Sequence, residues 1–215
     1  VQKFGASLGS LLRAVDKKHR LRVEENLKAS FPEKSDSEIK SICRDTFRHI
    51  GMLAVEVLWL PKLIKGENWK KYLVYEGKEN QDRIYGKHPI IVCAGHIGNW
   101  EIGGVGSAKL GFELHSVARP LDNPYLDKYI LDLRQKLKQT IVSKSGALLH
   151  LGRVLRGNGL ALMVMDQNAG SGGVFVDFFG RKASTIGSAA MMAIKYDAKI
   201  IVGYTHRMDD GRFKL

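Results

Sequence analysis

Cysteine and proline are scarce in these 215 residues, which hold two of the first and five of the second. Two cysteines cannot build the disulfide framework of a small secreted scaffold. Cys43 falls on an apolar helical stripe and Cys93 in an apolar strand segment, so both read as small buried hydrophobes of a reducing compartment. Neither has a partner at metal-ligand spacing, and no metal site is expected. Long hydrophobic runs are missing too: no stretch of about 18 apolar residues occurs that would cross a bilayer. No secretory signal pattern is visible. The sequence starts at Val1 and stops just after a strand-like segment, so it is expected to be a piece of a longer protein, with any anchor outside it.

Acidic residues are the other shortage. Against 34 Lys and Arg there are 22 Asp and Glu, a formal charge of +12. A basic surface suits a polyanion: nucleic acid, acidic lipid or a phosphorylated substrate. Residues 1–22 concentrate the excess, with Lys3, Arg13, Lys17, Lys18, Arg20 and Arg22 against Asp16 alone. That segment reads either as a solvated helix face or as a patch drawn to anionic head groups. Nucleic acid is the weaker partner, because no aromatics are interleaved with the cations and no nucleic-acid motif occurs.

The length fits a single domain, 1–215, with a helical part over 1–85 and an α/β part over 86–215. In "SDSEIKSICRDTFRHIGMLAVEVLWLP", Ser35 and Glu38 form a capping box, apolar residues recur at helical spacing from Ile39 to Leu58, and Pro61 is expected to close the helix. From residue 88 short apolar runs alternate with helical segments. Strands are expected at 90–94, 114–118, 139–142, 160–165, 174–178 and 200–204. Helices are expected at 99–110, 123–138, 147–156 and 186–196. This alternation predicts an α/β fold: a mainly parallel central sheet flanked by helices, preceded by an N-terminal helical segment.

The stretch "IIVCAGHIGNWEIGG" runs the first of these strands into His96, with Glu101 five residues on. On one continuous helix, residues five apart point about 140° away from each other. The two side chains meet if His96 precedes the helix and Glu101 lies in its first turn, a geometry that Gly95, Gly98 and Asn99 favour. The carboxylate would then orient one ring nitrogen, leaving the other to take a proton from a hydroxyl. The alternative is a structural histidine near a helix start, and the residues alone leave both open.

The ordered landmarks add a resemblance. "GHIGNWE" resembles the His-x4-Asp/Glu signature of the glycerolipid acyltransferase superfamily. With "RVEENLKASFPEKSDSEI", "ARPLDNPYLDKYI" and "MDQNAGSGGVFVDFFGRKASTIGSAAMMAIKYDAKII", it is similar to the bacterial lipid A biosynthesis (late, or secondary) acyltransferase family over about residues 20–205. The resemblance implies His96 as general base with Glu101 its partner, and Arg119 as a substrate-binding arginine needed for activity. It also implies a substrate role for Asp166, which would orient an acceptor sugar or hold Arg119. Ala118 departs from the glycine common in the family before that arginine. Outside the resemblance, Arg119 reads as a strand-end salt bridge and Asp166 as a turn residue.

The implied reaction moves a fatty acyl group from acyl-acyl carrier protein or acyl-CoA to a hydroxyl of a phosphorylated lipid A precursor. It needs no cofactor. It would run at the cytoplasmic face of the inner membrane, with the chain a peripheral partner of the membrane surface and no nucleic acid involved. "RKAST", Arg181 to Thr185, could meet lipid phosphates, with Thr185 capping the next helix. The nearest rival is transfer to another glycolipid, such as a phosphatidylinositol mannoside, or to a phospholipid. Of different class are a non-catalytic basic membrane-binding module and a thioester hydrolase. The hydrolase lacks a Gly-x-Ser-x-Gly elbow.

Overall fold

A computed structural model describes residues 1–63, 65–137, 139–143 and 145–215. The far end of the helix expected over 123–138 falls on Lys138, outside the described residues. In chain order the elements are α1 (Gln2–Val15), α2 (Lys17–Ser30), α3 (Asp36–Leu63), β1 (Leu73–Val74), α4 (Lys78–Ile84), β2 (Ile90–Ala94), α5 (Trp100–Lys109), β3 (Leu114–Ala118) and α6 (Pro124–Lys136). There follow β4 (Thr140–Ser143), α7 (Ala147–Arg156), β5 (Leu160–Val164), β6 (Val174–Phe178), β7 (Arg181–Thr185), α8 (Ser188–Tyr196), β8 (Lys199–Gly203), β9 (His206–Arg207) and β10 (Phe213–Lys214). The chain divides into two compact units, Val1–Leu60 with Phe175–Ala183, and Pro61–Val174 with Ser184–Leu215.

The first unit is built on three helices. Asp16 ends α1 and caps α2 by accepting from the His19 N–H at 3.0 Å. Ser35 and Glu38 close the capping box of α3, with the Glu38 carboxylate accepting from the Ser35 N–H at 2.9 Å. Along α3, Ile39, Cys43, Phe47, Val57 and Leu60 are buried, as their spacing requires. Pro61 lies inside the last turn of α3 rather than ending it, so the helix runs two residues further, to Leu63, although a proline has no N–H to donate there. Packing of α1 on α3 is close enough to require glycine: a Cβ on Gly5 would stand 2.6 Å from the Met52 Cα.

The second unit holds a five-stranded sheet in the order β4-β3-β5-β2-β8, parallel throughout, with a small β1-β10-β9 sheet beside it. Helices cover both faces, as parallel connections demand. On one face Ile91, Ala161 and Met163 pack with Leu151 and Leu155 of α7 and Ala189 and Met192 of α8. On the other Ile90, Leu114 and Leu160 pack with Phe112, Tyr75, Tyr85 and Leu110. Fully apolar strands at the centre follow from burial on both sides.

The order of strands has a functional consequence. The chain leaves β2 through α5 toward β3 on one side, and leaves β5 through α8 toward β8 on the other. Adjacent β2 and β5 therefore send their connections in opposite directions along the sheet, from their carboxyl ends. Ligand sites of open α/β sheets collect there.

Helix α4 falls within the part expected to be helical, whereas β1 interrupts that part with a two-residue strand; β7, β9 and β10 lie outside the expected strands, being short or polar. "RKAST" forms β7, and Gly187 rather than Thr185 occupies the N-cap of α8.

Candidate active site

Strand register brings His96 to Asp166. β2 and β5 pair in parallel with Ala94 opposite Val164, so positions two residues beyond each strand lie opposite one another. The Met165 N–H still donates to the Ala94 carbonyl at 2.9 Å, extending the ladder to the edge of the site. Beyond it the Asp166 carboxylate takes both histidine donors. Oδ1 lies 2.6 Å from the His96 Nδ1 and Oδ2 accepts from the His96 backbone N–H at 2.6 Å.

Two contacts thus fix the ring's position and its tautomer. An ionised Asp166 only accepts, so Nδ1 carries the proton and Nε2 presents its lone pair. Burial opposes ionisation of Asp166, but the hydrogen bonds from the His96 ring and backbone outweigh it and hold the carboxyl below the usual aspartate value. Trp100 packs on the ring edge to face, with centroids 4.7 Å apart. His96 keeps about a third of its side chain open to solvent, so a substrate can reach it.

The turn between β2 and α5 is shaped by Gly95, Gly98 and Asn99. Gly98 has φ +63°, and any Cβ there would run into the Thr205 carbonyl. A Cβ on Gly95 would lie 3.1 Å from the Asp166 Oδ2. Asn99 is fully buried and caps α5, its Oδ1 accepting from the Ile102 N–H at 3.2 Å.

The hydrogen bond expected between His96 and Glu101 is not the one the fold makes. Glu101 does lie in the first turn of α5, but its carboxylate faces α6 and meets Arg134 in a bidentate pair. Nη2 donates to Oε1 at 2.5 Å and Nε to Oε2 at 3.1 Å. Both side chains are mostly buried, at 11% and 19% exposure, so this is a structural tie between helices rather than a surface ion pair. Asp166 takes the place at the imidazole that the sequence reading assigned to Glu101. It makes no hydrogen bond to Arg119 among the described residues, and its side chain keeps 42% of its surface open to solvent.

Arg119 follows β3, which pairs with β5, so it is delivered to the same edge of the sheet. Its guanidinium is 75% exposed and donates to Asp122 Oδ1 at 3.2 Å. Among the described residues no hydrogen bond joins it to His96 or Asp166. Such an exposed pair holds the guanidinium weakly and leaves it available to an anionic ligand. Asn123 caps α6 just beyond, accepting from the Tyr125 and Leu126 N–H groups.

Arg134 escaped the sequence reading, although a signal exists. It stands four residues after buried Ile130 and one after buried Leu133, which places a cation on the inward stripe of an amphipathic helix. A charge there needs a buried partner. Both cysteines are free, and burial pushes both thiols up, away from thiolate chemistry. No cluster of three His, Cys, Asp or Glu placed to hold a metal occurs among the described residues.

An oriented, partly exposed imidazole at the carboxyl ends of two parallel strands can activate a hydroxyl for attack on an acyl group. Comparison with known sequences agrees with that chemistry: the family described as bacterial lipid A biosynthesis acyltransferase matches over residues 1–215. No curated protein matches the chain.

Proposed function

We propose, for a chain that belongs to the bacterial lipid A biosynthesis acyltransferase family and is therefore an acyltransferase, that His96 is the general base and Asp166 its orienting partner. The observation that carries this reading is the double hydrogen bond from Asp166 to the His96 ring and backbone. It leaves Nε2 as the nitrogen that meets substrate.

Nε2 takes the proton of the acceptor hydroxyl as the oxygen attacks a thioester carbonyl. The resulting imidazolium is stabilised by the Asp166 carboxylate. As the tetrahedral intermediate collapses, the C–S bond breaks and His96 returns the proton to the leaving sulfur. The products are an ester and a free thiol, and no acyl-enzyme intervenes. Backbone N–H groups at the start of α5 and the Arg119 guanidinium are the donors offered to the oxyanion or to a phosphate of either substrate.

The donor is read as acyl-acyl carrier protein or acyl-CoA, and the acceptor as a phosphorylated lipid A precursor. The net charge of +12 suits both an acidic carrier and a phosphorylated lipid. Transfer to another glycolipid uses the same site, and acceptor choice rests on the shape of the surrounding pocket. The reaction is expected at the cytoplasmic face of the inner membrane. No described helix is long and apolar enough to cross a membrane.

The test is a donor and acceptor panel. Purified protein is mixed with acyl-carrier protein or acyl-CoA and with lipid A precursors, phospholipids and phosphatidylinositol mannosides, and esters are followed by mass spectrometry. Transfer to the lipid A precursor, lost in His96→Ala, is expected. Undiminished transfer by His96→Ala overturns the base assignment.

A further inference from the structure

The ribbon formed by β6 and β7 leaves its apolar residues uncovered. Phe179 and Gly180 make its two-residue turn, with φ of 49° and 67°, the signs a type I′ hairpin requires. Val174, Phe175, Val176, Phe178 and Phe179 are each between 41% and 63% exposed. Successive strand residues point to opposite faces, so both sides of the ribbon present apolar surface to solvent. A run of this kind on a folded protein is a liability unless something apolar receives it.

Cations and a second outward apolar face accompany the ribbon. The tip is tied to the helical unit rather than loose: the Phe179 ring lies 5.1 Å from that of Phe31, with Lys34 above Phe31. Cations accompany the aromatics, with Arg181 and Lys182 just past the turn and one acid, Asp177, already paired to Lys182 at 2.8 Å. In the same unit α1 is turned inside out. It buries Gly5, Ala6 and Gly9 while Phe4, Leu11 and Val15 are 61–71% exposed, beside a segment of net charge +5. Apolar side chains facing outward among clustered cations match the interface of an anionic bilayer, where rings sit at the head-group boundary and lysines and arginines reach phosphates. An acidic carrier protein would use the cations and leave the phenylalanines wet.

We propose that the β6–β7 hairpin is a membrane-docking wedge, which seats Phe175 and Phe178 in the interface of an anionic bilayer while the outward face of α1 lies on the same kind of surface. The proposal concerns binding and is independent of the transfer reaction.

The experiment is flotation with vesicles of phosphatidylcholine alone or mixed with phosphatidylglycerol, using the whole chain. Wild type should float with the anionic vesicles, less so at high salt. Phe175→Ser/Phe178→Ser should lower partitioning by about tenfold or more, given the apolar area removed. In a second variant, Phe178→Trp, brominated phospholipid should quench fluorescence beyond the loss seen with the native tryptophans. That variant decides the matter if the double substitution fails to fold by circular dichroism. Failure of wild type to bind anionic vesicles overturns the wedge, as does equal binding by a folded double variant or absence of extra quenching in Phe178→Trp. A change in self-association without a change in vesicle binding also overturns it, since a second copy would then cover the hairpin.

Discussion

His96 and Asp166 are separated by 70 residues of chain and by 2.6 Å of space. Two neighbouring parallel strands in fixed register account for both figures. The aspartate also holds the histidine backbone, so it sets where the ring stands as well as which nitrogen is protonated.

Asp166→Asn removes the negative charge and offers the ring an amide that can bind in either sense. Loss of the oriented tautomer should lower kcat by about 10²–10⁴-fold with little change in KM. Steady-state kinetics on any accepted donor measures this. A loss confined to KM would mean that Asp166 binds substrate and does not act through His96.

The tie between Glu101 and Arg134 predicts a different phenotype. Arg134→Ala leaves a mostly buried carboxylate without its partner, a cost of roughly 3 kcal/mol. In a chain of this size that corresponds to a drop in Tm of about 6–12 °C. A paired apolar replacement, Glu101→Leu with Arg134→Met, should recover most of it. If the single and double variants melt alike, the two residues are not coupled.

Gly95→Ala and Gly98→Ala separate chemistry from folding. A methyl on Gly95 would press on the Asp166 carboxylate at 3.1 Å, so activity should fall while thermal stability changes little. At Gly98 the left-handed φ and the Thr205 carbonyl both oppose a side chain, and a loss on the order of 3 kcal/mol is expected by chemical denaturation. Equal stability of the two variants would contradict the geometry of this turn.

Acid dependence follows from the lowered carboxyl of Asp166. A group held below its unfolded value adds stability that is fully present above the ordinary aspartate value of about 3.9 and fades as pH drops through its depressed native value. Urea titrations at falling pH should show wild type losing stability below about pH 4. Asp166→Asn should be less stable than wild type at neutral pH and converge on it in strong acid. A constant gap between the two would exclude this linkage.

Much of the sheet was legible in the sequence because fully buried parallel strands write themselves as short apolar runs. Ile90–Ala94 and Leu114–Ala118 are the expected segments to the residue. Asn99 as a cap and the position of Glu101 in the first helical turn were legible for the same local reason. The partner of His96 was not, because nothing local marks it. Proximity in the chain favoured Glu101, whereas the partner is fixed by the pairing of β2 with β5, a contact of long sequence separation. Arg134 was hidden likewise: it lies in α6, within the helix expected over 123–138, and only Glu101 of α5, 33 residues away in the chain, gives its charge a purpose.

The pairing of Ala94 with Val164 has a further consequence, for how such a chain can diversify. Neither side of the dyad depends on the length of what lies between positions 96 and 166, provided both strands keep their register. Loops around α6, β4 and α7 are therefore free to lengthen, shorten or change character, with α6 moored separately through Arg134. That excursion can change while the hydrogen-bonded pair of His96 and Asp166 stays where the two central strands put it.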